Sequence, residues 1–291
     1  MKLGIGLAGW FQIPLETALN TISKLGYDGV EIYVWRGYIF DSSVYDPESG
    51  PSRRLGPNSR RRLRRLLDEN ELEIAAIGTV DFPFDYLNPS ETTRKDHIQF
   101  VKECIDFGAD LEASIVWSMS GPQLPKSSLD ESWQKLEHTM RTCTDYASAN
   151  GMTFAIEPCH GQLVSSAEDC LRLIRRVKDV KVNFDPSHFT IRGWNVPKAV
   201  KELADHIVFA HIKGTKGRVP NHQWYIPGED PEDVASIKEL TLALDEIGYT
   251  GYISVEVAHR RRTDILYDPC FAAELAYNTV SPVFEELKLR S

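Results

Sequence analysis

The sequence has 291 residues, of which 42% are hydrophobic and 26% are charged, and its formal net charge is −9. This length suits a single α/β barrel, and the apolar content is enough for a large core, which excludes a disordered chain. An acidic chain has no general attraction for phosphate backbones or anionic membranes, so we expect neither nucleic acid nor a membrane as a partner.

The cysteines and the N-terminal residues bear on the cellular compartment. Five cysteines, at positions 104, 143, 159, 170 and 270, are dispersed and form no CxxC pair, which is typical of a protein with reduced thiols. The first ten residues, MKLGIGLAGW, lack an apolar signal region and a small-residue cleavage site. No apolar run approaches the length needed to span a bilayer. We therefore predict a cytoplasmic protein.

Short β-rich runs alternate with amphipathic helical patterns along the whole chain. The runs are rich in Ile, Val and Phe, as expected for parallel strands that are covered on both faces. The predicted strands are 3–9, 29–34, 73–79, 114–118, 153–157, 181–185, 207–213 and 252–257. The predicted helices are 15–25, 59–70, 92–107, 131–150, 167–178, 197–204, 233–247 and 271–287. Eight alternations favour one closed (β/α)₈ TIM barrel over residues 1–291, with an open doubly wound sheet as the alternative.

Three local patterns point to other functions. GIGLAG at 4–9 fits the GxGxxG spacing of dinucleotide-binding loops, with Glu31 where a ribose-binding acid would stand. Too few residues precede the first glycine to form the strand that such a loop needs, so we assign these glycines to strand one. RRRLRR at 60–65 lies in a stretch in which Leu63, Leu66 and Leu67 keep helical spacing, so the arginines are expected to form a solvated helix face. Arg260–Arg262 could bind a phosphate or an acidic group on a substrate, contact a neighbouring subunit, or form a plain surface run.

The last four strands each end in a side chain that can bind a metal. Their sequences are TFAIEPCHG, VNFDPSHF, VFAHIKG and YISVEVAH, and the four residues are Glu157, Asp185, His211 and Glu256. The ends of parallel barrel strands share one rim, so these residues can converge. Three carboxylates and one imidazole suit Mn²⁺, with Mg²⁺, Co²⁺ or Zn²⁺ as alternatives. The competing interpretation is four separate strand caps or paired core charges, but several buried carboxylates without a cation are costly.

These motifs resemble the xylose-isomerase-like barrel superfamily of sugar isomerases, ketose 3-epimerases, inosose dehydratases and the endonuclease IV group. Further matches are GYDGVEI (26–32), the PGED turn (227–230) and GYTGYISVEV (248–257), so that the resemblance covers nearly the whole chain. It implies that the four residues above bind the metal. It also implies that Glu157 and Glu256 move the substrate proton, and that His188 lies near the substrate oxygens, although His188 could instead only support a ligand or cap a loop.

Candidate substrate-binding residues lie near the same strand ends. Lys213 stands two residues after His211, so strand alternation points both to the same side. It could bind a substrate oxygen or only pair with a carboxylate. The loop that follows carries Arg218, His222 and Trp224, which are residue types common in carbohydrate sites and also in ordinary loops. Trp10 and His160 are weaker candidates of the same kind.

The sequence departs from the family at two positions. HxKD is common after strand seven, but Gly214 stands in place of the aspartate. The epimerases often carry a second glutamate six residues after the first ligand, where this chain has Leu163. Both changes leave the metal ligands in place, but they weaken the assignment to a free-ketose 3-epimerase.

The predicted function is a divalent-metal-dependent sugar isomerase or epimerase. It would remove a proton α to a carbonyl through a metal-bound enediolate. A lyase that acts on a keto-sugar or keto-inositol begins with the same step and is the alternative. An endonuclease IV-like enzyme needs added histidines that the strand ends YVWRGY, IGTVDF and VWSMSG do not supply. A non-catalytic binding protein has no need of four ligands. A small carbohydrate is the expected partner, and the chain could form a homo-oligomer.

Overall fold

Eight parallel strands close into a barrel in the computed structural model, which describes residues 1–8, 10, 13–35, 38–39, 57–80, 84–257 and 268–289. The barrel strands are β1 (Lys2–Gly6), β2 (Gly29–Trp35), β4 (Glu73–Thr79), β5 (Ile115–Met119), β6 (Thr153–Glu157), β7 (Lys181–Phe184), β8 (Ile207–Ile212) and β11 (Tyr252–Val255). Each pairs with the next in that order, and β1 closes the ring by pairing with both β2 and β11. The prediction of a single (β/α)₈ barrel is confirmed.

Helices follow the strands and cover the outside of the barrel. They are α1 (Leu15–Leu25), α2 (Pro57–Glu69), α3 (Glu91–Asp110), α4 (Leu129–Ala149), α5 (Ala167–Arg176), α6 (Pro186–Thr190), α7 (Val196–Glu202), α8 (Asp233–Glu246) and α9 (Pro269–Glu286). The predicted helix bounds agree within a few residues. No helix in the described ranges is long and apolar enough to cross a membrane.

Local signals explain where several helices begin and end. At the start of α4 the Ser128 hydroxyl accepts the Glu131 N–H, and the Glu131 carboxylate accepts the Ser128 N–H, which forms a capping box. Helix α1 ends at Gly26, whose φ of 96° lies in the left-handed region that glycine adopts without strain. These caps fix the lengths of the helices and so the places where the chain re-enters the barrel.

Five short elements were not predicted from the sequence. Strand β3 (Tyr38–Ile39) pairs antiparallel with β2, and Asp85–Leu87 form one 3₁₀ turn. Helix α6 follows β7 directly, and strands β9 (Gly214–Lys216) and β10 (Gln223–Tyr225) form an antiparallel hairpin after β8. Such short segments carry too few residues for a periodic pattern to show. Both α6 and the hairpin lie at the barrel rim where the candidate site is found.

The five cysteines are free thiols, as the dispersed positions predicted. Cys104, Cys143 and Cys170 are buried, while Cys159 and Cys270 are partly exposed. Burial raises the pKa of the Cys143 thiol to about 12, so this thiol stays protonated and unreactive at neutral pH.

Candidate metal centre

Three of the four predicted ligands come together at the rim of the barrel. Glu157 is the last residue of β6, Asp185 directly follows β7, and His211 lies in β8. One ligand atom of each lies within 4.8 Å of the others. All three residues are buried, with an exposed fraction of 1% or less. Within the described ranges, they are the one group of three or more metal-competent side chains that lies close enough to hold an ion.

The local sequence DPSH orients the Asp185 carboxylate. Asp185 caps α6, and its Oδ1 accepts the Ser187 N–H at 2.8 Å. Pro186 occupies the first helical position, where its fixed φ and missing N–H are favourable. The second oxygen, Oδ2, therefore points away from the helix and lies 2.8 Å from Nζ of Lys213. The Asp185 carboxylate thus caps α6 with one oxygen and faces the site with the other.

Glu256, the fourth predicted ligand, pairs with Lys213 instead of joining this group. Its Oε2 lies 2.7 Å from Nζ of Lys213, whose ammonium bridges Glu256 and Asp185. Burial lowers the pKa of Lys213, but the Asp185 and Glu256 charges outweigh burial and raise it well above the ordinary value. Lys213 therefore carries a positive charge among the predicted ligands. Lys213 points to the same side as His211, as strand alternation predicts. Of the two contacts considered for it, a substrate oxygen or a carboxylate, the structure shows the pairing with carboxylates.

The three clustered residues have the chemistry that a divalent cation requires. Nδ1 of His211 is buried, has no hydrogen-bond partner among the described residues, and lies 3.8 Å from Oε1 of Glu157. Burial would raise the pKa of the Glu157 carboxyl, but contacts with His188 and His211 outweigh burial and lower it to about 2. Two carboxylate groups and an unused imidazole nitrogen form a mixed oxygen and nitrogen donor set, which fits Mn²⁺ or a similar ion.

His188, predicted to approach the substrate, lies beside two of these ligands. Its Nε2 is 3.5 Å from Oε1 of Glu157 and 3.5 Å from Oδ2 of Asp185. Its Nδ1 lies 3.7 Å from the sulfur of Cys159. Burial lowers the pKa of His188, but Cys159 and Asp185 outweigh burial and raise it to about 10. His188 is therefore placed to hold a proton at the edge of the site.

A row of aromatic rings continues outward from His188. The ring centroids of His188 and Trp224 are 5.1 Å apart, those of Trp224 and His222 are 4.9 Å apart, and those of His222 and His160 are 5.7 Å apart. Nζ of Lys213 lies 4.8 Å from the centroid of Trp224. The structure thus brings His160 and His222 together along one wall, and Trp224 links them to the metal cluster.

Gly214, one of the two departures from the family, lies in the same hairpin as Trp224 and packs against Tyr225. Gly214 pairs with Tyr225 across the β9–β10 hairpin, and a Cβ at Gly214 would lie only 2.2 Å from Cδ2 of the Tyr225 ring. An aspartate at this position would therefore clash with Tyr225 unless the hairpin moved. At the other departure from the family, Leu163 is buried and its N–H donates to Gly121 O. The glycine of HIKG thus leaves room for the Tyr225 ring in the hairpin.

The remaining candidates either make their described hydrogen bonds to other residues or lie outside the described residues. The Arg218 guanidinium donates to the Thr190 carbonyl at the end of α6. Trp10 is fully buried, and its backbone N–H donates to Leu7 O. Residues 260–262, which were open to substrate or subunit binding or to a plain surface run, lie outside the described ranges. The structure therefore places His188, Lys213, His222 and His160 around the cluster, but gives Arg218 and Trp10 no described contact with it.

The sequence analysis missed the role of Glu31. This residue lies in β2 with no exposed surface, and both carboxylate oxygens contact Nε2 of His211, at 3.0 and 3.2 Å. The spacing from GIGLAG suggests for Glu31 only a ribose-binding role, which the short segment before the first glycine excludes. The signal was present in GYDGVEI, since an acidic residue in an otherwise apolar strand must find a partner to be buried. Which partner it finds depends on the closed barrel.

Comparison with known proteins supports the same interpretation. Residues 19–278 match the family model described as xylose isomerase-like TIM barrel. The chain belongs to this family. Fructoselysine 3-epimerase of Shigella flexneri is 25% identical over 267 residues, which cover 88% of this chain and 90% of the relative. The corresponding protein of Escherichia coli O157:H7 is 24% identical over the same length.

Solved structures of sugar epimerases share the fold. A D-psicose 3-epimerase determined with D-fructose superposes with a TM-score of 0.76 at 16% identity, covering 99% of both chains. The 3-keto-D-glucoside 4-epimerase of E. coli superposes with a TM-score of 0.74 at 18% identity, covering 98% of this chain and 99% of that one. The predicted resemblance is confirmed, and so is the enzyme class of isomerase or epimerase.

Proposed function

We propose that the protein is a divalent-metal-dependent ketose 3-epimerase that acts on a substituted ketose such as fructoselysine. The observation that carries the proposal is the buried cluster of Glu157, Asp185 and His211, with Glu256 joined to it through Lys213. Fructoselysine is the substrate in the names of the two curated relatives. The absence of a glutamate at Leu163 also favours a substrate other than a plain free ketose.

The cation would be held by Glu157, Asp185 and His211, with Glu256 as the fourth ligand. Bound there, it would stabilise negative charge on the substrate carbonyl oxygen and so acidify the neighbouring C–H bond. The chain's own residues then have to remove and return one proton. A carboxylate with a pKa near 2 is a weak base, so Glu157 can act only on a C–H bond that is acidified and held against it.

The positions of Glu157 and Glu256 in the barrel suit inversion of a carbon centre. Strands β7 and β8 separate β6 from β11, and neighbouring strands lie about 4.8 Å apart. The two carboxylates therefore approach the cleft from different directions. One can remove the proton from one face of the planar intermediate, and the other can return a proton to the opposite face. A two-base epimerisation uses such a pair of groups.

Lys213 and His188 provide positive charge and protons around the reacting oxygens. Both side chains are nearly buried, and the pKa of each is raised, so each carries its proton at neutral pH. In an epimerase they hold the substrate oxygens in place while the proton moves. In a lyase, which begins with the same proton removal, one of them would protonate a leaving oxygen. The products distinguish these two outcomes.

The test is proton exchange in D₂O with the Mn²⁺-loaded enzyme. Fructoselysine, D-psicose and D-tagatose are incubated with the wild type and with Glu157→Gln and Glu256→Gln, and NMR follows deuterium at C3 and the epimer formed. We expect the wild type to invert C3, and each variant to lose inversion by at least about 100-fold, the scale of a lost acid or base. One of the two variants is expected to retain exchange at C3.

Metal content is measured in every sample, so that activity lost because the ion is absent can be distinguished from activity lost because the base is absent. Glu274→Gln, which changes an exposed glutamate of α9, is the matched control and should keep full activity. Elimination products in place of an epimer would replace the epimerase proposal with the lyase. A metal-loaded wild type that exchanges no proton in any of these sugars would refute both.

A further inference from the structure

The buried carboxylate of Glu31 accepts hydrogen bonds from four side chains inside the barrel. Nε1 of Trp117 donates to Oε1 at 2.6 Å, the Ser254 hydroxyl donates to Oε2 at 2.8 Å, and the Tyr33 hydroxyl donates to Oε2 at 3.2 Å. Nε2 of His211 is the fourth, at 3.0 Å from Oε1. These groups belong to β2, β5, β8 and β11, so that the network spans the barrel interior.

Two glycines make room for the donors of this network. A Cβ at Gly6 would lie 2.8 Å from Cε2 of Tyr33, and a Cβ at Gly78 would lie 2.7 Å from Cζ2 of Trp117. Any larger residue at either position would displace a ring that donates to Glu31. The rings of Tyr33 and Trp117 also meet edge to face, with centroids 5.7 Å apart. The two glycines therefore leave the space in the barrel wall that the Tyr33 and Trp117 rings occupy when they donate to Glu31.

The donor set determines which nitrogen of His211 carries the proton. The indole N–H of Trp117 is a donor only, and both Glu31 oxygens are surrounded by donors, so this carboxyl acts as an acceptor. Nε2 of His211 must then donate to it. In neutral imidazole the other nitrogen, Nδ1, carries no proton and has a free lone pair. Nδ1 is the nitrogen that lies 3.8 Å from Oε1 of Glu157 and has no hydrogen bond among the described residues.

We infer that Glu31 is a positioning residue of the metal centre, which holds His211 in the tautomer and orientation that present Nδ1 to the cation. The inference rests on the metal centre proposed above. Carboxylates that hydrogen-bond to a metal-binding histidine in this way raise its basicity and fix its ring, and their loss typically weakens metal binding about 10- to 100-fold. Trp117 packs edge to face on the His211 ring at 5.2 Å and restricts its rotation further.

The test compares metal affinity in Glu31→Gln with that in a matched control. Glutamine keeps the shape of the side chain but places an amide N–H₂ against donors, so His211 loses its charged acceptor. Thr79→Val is the control, because it removes a buried hydrogen bond from Thr79 to Trp117 O without touching Glu31. Titration calorimetry with Mn²⁺ on the folded proteins, without substrate, gives the affinities, and circular dichroism gives the melting temperatures.

We expect Glu31→Gln to weaken Mn²⁺ binding about 10- to 100-fold and Thr79→Val to change it less than about threefold. If the hydrogen bonds around Glu31 only stabilise the fold, both variants should melt at a lower temperature while the metal affinity of the folded protein stays unchanged. That result would overturn the inference. If the wild type binds Mn²⁺ and Glu31→Gln binds it with the same affinity, only the proposed role of Glu31 is overturned. A wild type that binds no divalent ion overturns the metal centre as well.

A second measurement does not depend on the folding of the variant. In the wild type loaded with diamagnetic Zn²⁺, imidazole ¹⁵N NMR reports which nitrogen of His211 carries the proton and which binds the ion. We expect a proton on Nε2 and the metal on Nδ1. A proton on Nδ1, or metal coordination through Nε2, contradicts the proposed role of Glu31 even if the enzyme proves to be an epimerase.

Discussion

At the scale of single residues, the positive charge of Lys213 competes with a metal ion for two of the predicted ligands. Its ammonium lies 2.7 Å from Oε2 of Glu256 and 2.8 Å from Oδ2 of Asp185, and its side chain is only 9% exposed. A cation that binds nearby has to share these carboxylates with Lys213. The lysine therefore stabilises the ion-free protein and opposes the binding of the metal, while it remains available to a substrate oxygen.

Replacing Lys213 with methionine separates these effects. Methionine keeps an unbranched chain but leaves the buried Asp185 carboxylate and the partly buried Glu256 carboxylate without their cation. We expect the ion-free variant to lose about 3 kcal/mol of unfolding free energy, because breaking a buried ion pair on one side costs that order. Urea unfolding with EDTA and with excess Mn²⁺ measures the loss, and Mn²⁺ should restore more stability to the variant than to the wild type.

Lys216→Met provides the comparison for this experiment. Lys216 pairs with Asp230 at 2.7 Å, but its side chain is 66% exposed, so solvent screens the pair. Its loss should change stability little, with or without the ion. Equal unfolding free energies for Lys213→Met and the wild type in EDTA would show that the Lys213 pairs do not stabilise the protein.

At the scale of elements, the β9–β10 hairpin builds one wall of the site. It places Trp224 against Lys213 and His188, and its half-buried ring presents apolar surface where a sugar could stack. Stacking on an aromatic ring contributes about 1 kcal/mol. The hairpin is therefore expected to affect substrate binding and to leave the metal ligands undisturbed.

Substitution of Trp224 by alanine should raise KM about fivefold, the factor that corresponds to about 1 kcal/mol, with little change in Mn²⁺ affinity. The reason is that the ring contacts Lys213 and His188, beside which the substrate is proposed to bind, and belongs to none of the ligand strands. Steady-state kinetics and calorimetry give the two values. Trp194→Ala is the matched control, since Trp194 is 36% exposed and stacks with Arg192 at 3.7 Å. A lost metal affinity with an unchanged KM would contradict this division of roles.

At the scale of the whole molecule, a cation would join three neighbouring strands of the closed barrel. Glu157, Asp185 and His211 come from the ends of β6, β7 and from β8, so that an ion held by them crosslinks the rim. An ion that binds only the folded state stabilises it by about 2.7 kcal/mol at 100 times its dissociation constant. The metal is therefore expected to contribute to stability as well as to catalysis.

Removal of the metal should lower the melting temperature by about 5 °C relative to saturating Mn²⁺, from the usual scaling of stability with temperature for a chain of this size. Calorimetric scans with EDTA and with Mn²⁺ measure the shift. Asp185→Asn should abolish most of it, because the amide can still accept the Ser187 N–H but brings no charge to the ion. Asp245→Asn, at an exposed position of α8, should keep the full shift. An equal shift in both variants would place the ion elsewhere.

The barrel and the order of its elements could be predicted from the sequence because the signals are local. Apolar runs of strand length alternate eight times with amphipathic helical patterns along the chain. The rule that parallel strands end on one rim then places Glu157, Asp185, His211 and Glu256 on the same side of the molecule. None of these steps requires knowledge of a distance between side chains.

Tertiary structure alone decided what each of these residues contacts. Glu31 and His211 are 180 positions apart and meet only because β1 closes the ring between β2 and β11. The pairing of Lys213 with two carboxylates depends on side-chain direction at the ends of β8 and β11, which residue spacing does not specify. The sequence determines which chemical groups reach the rim, whereas closure of the barrel determines which group neutralises, orients or excludes another.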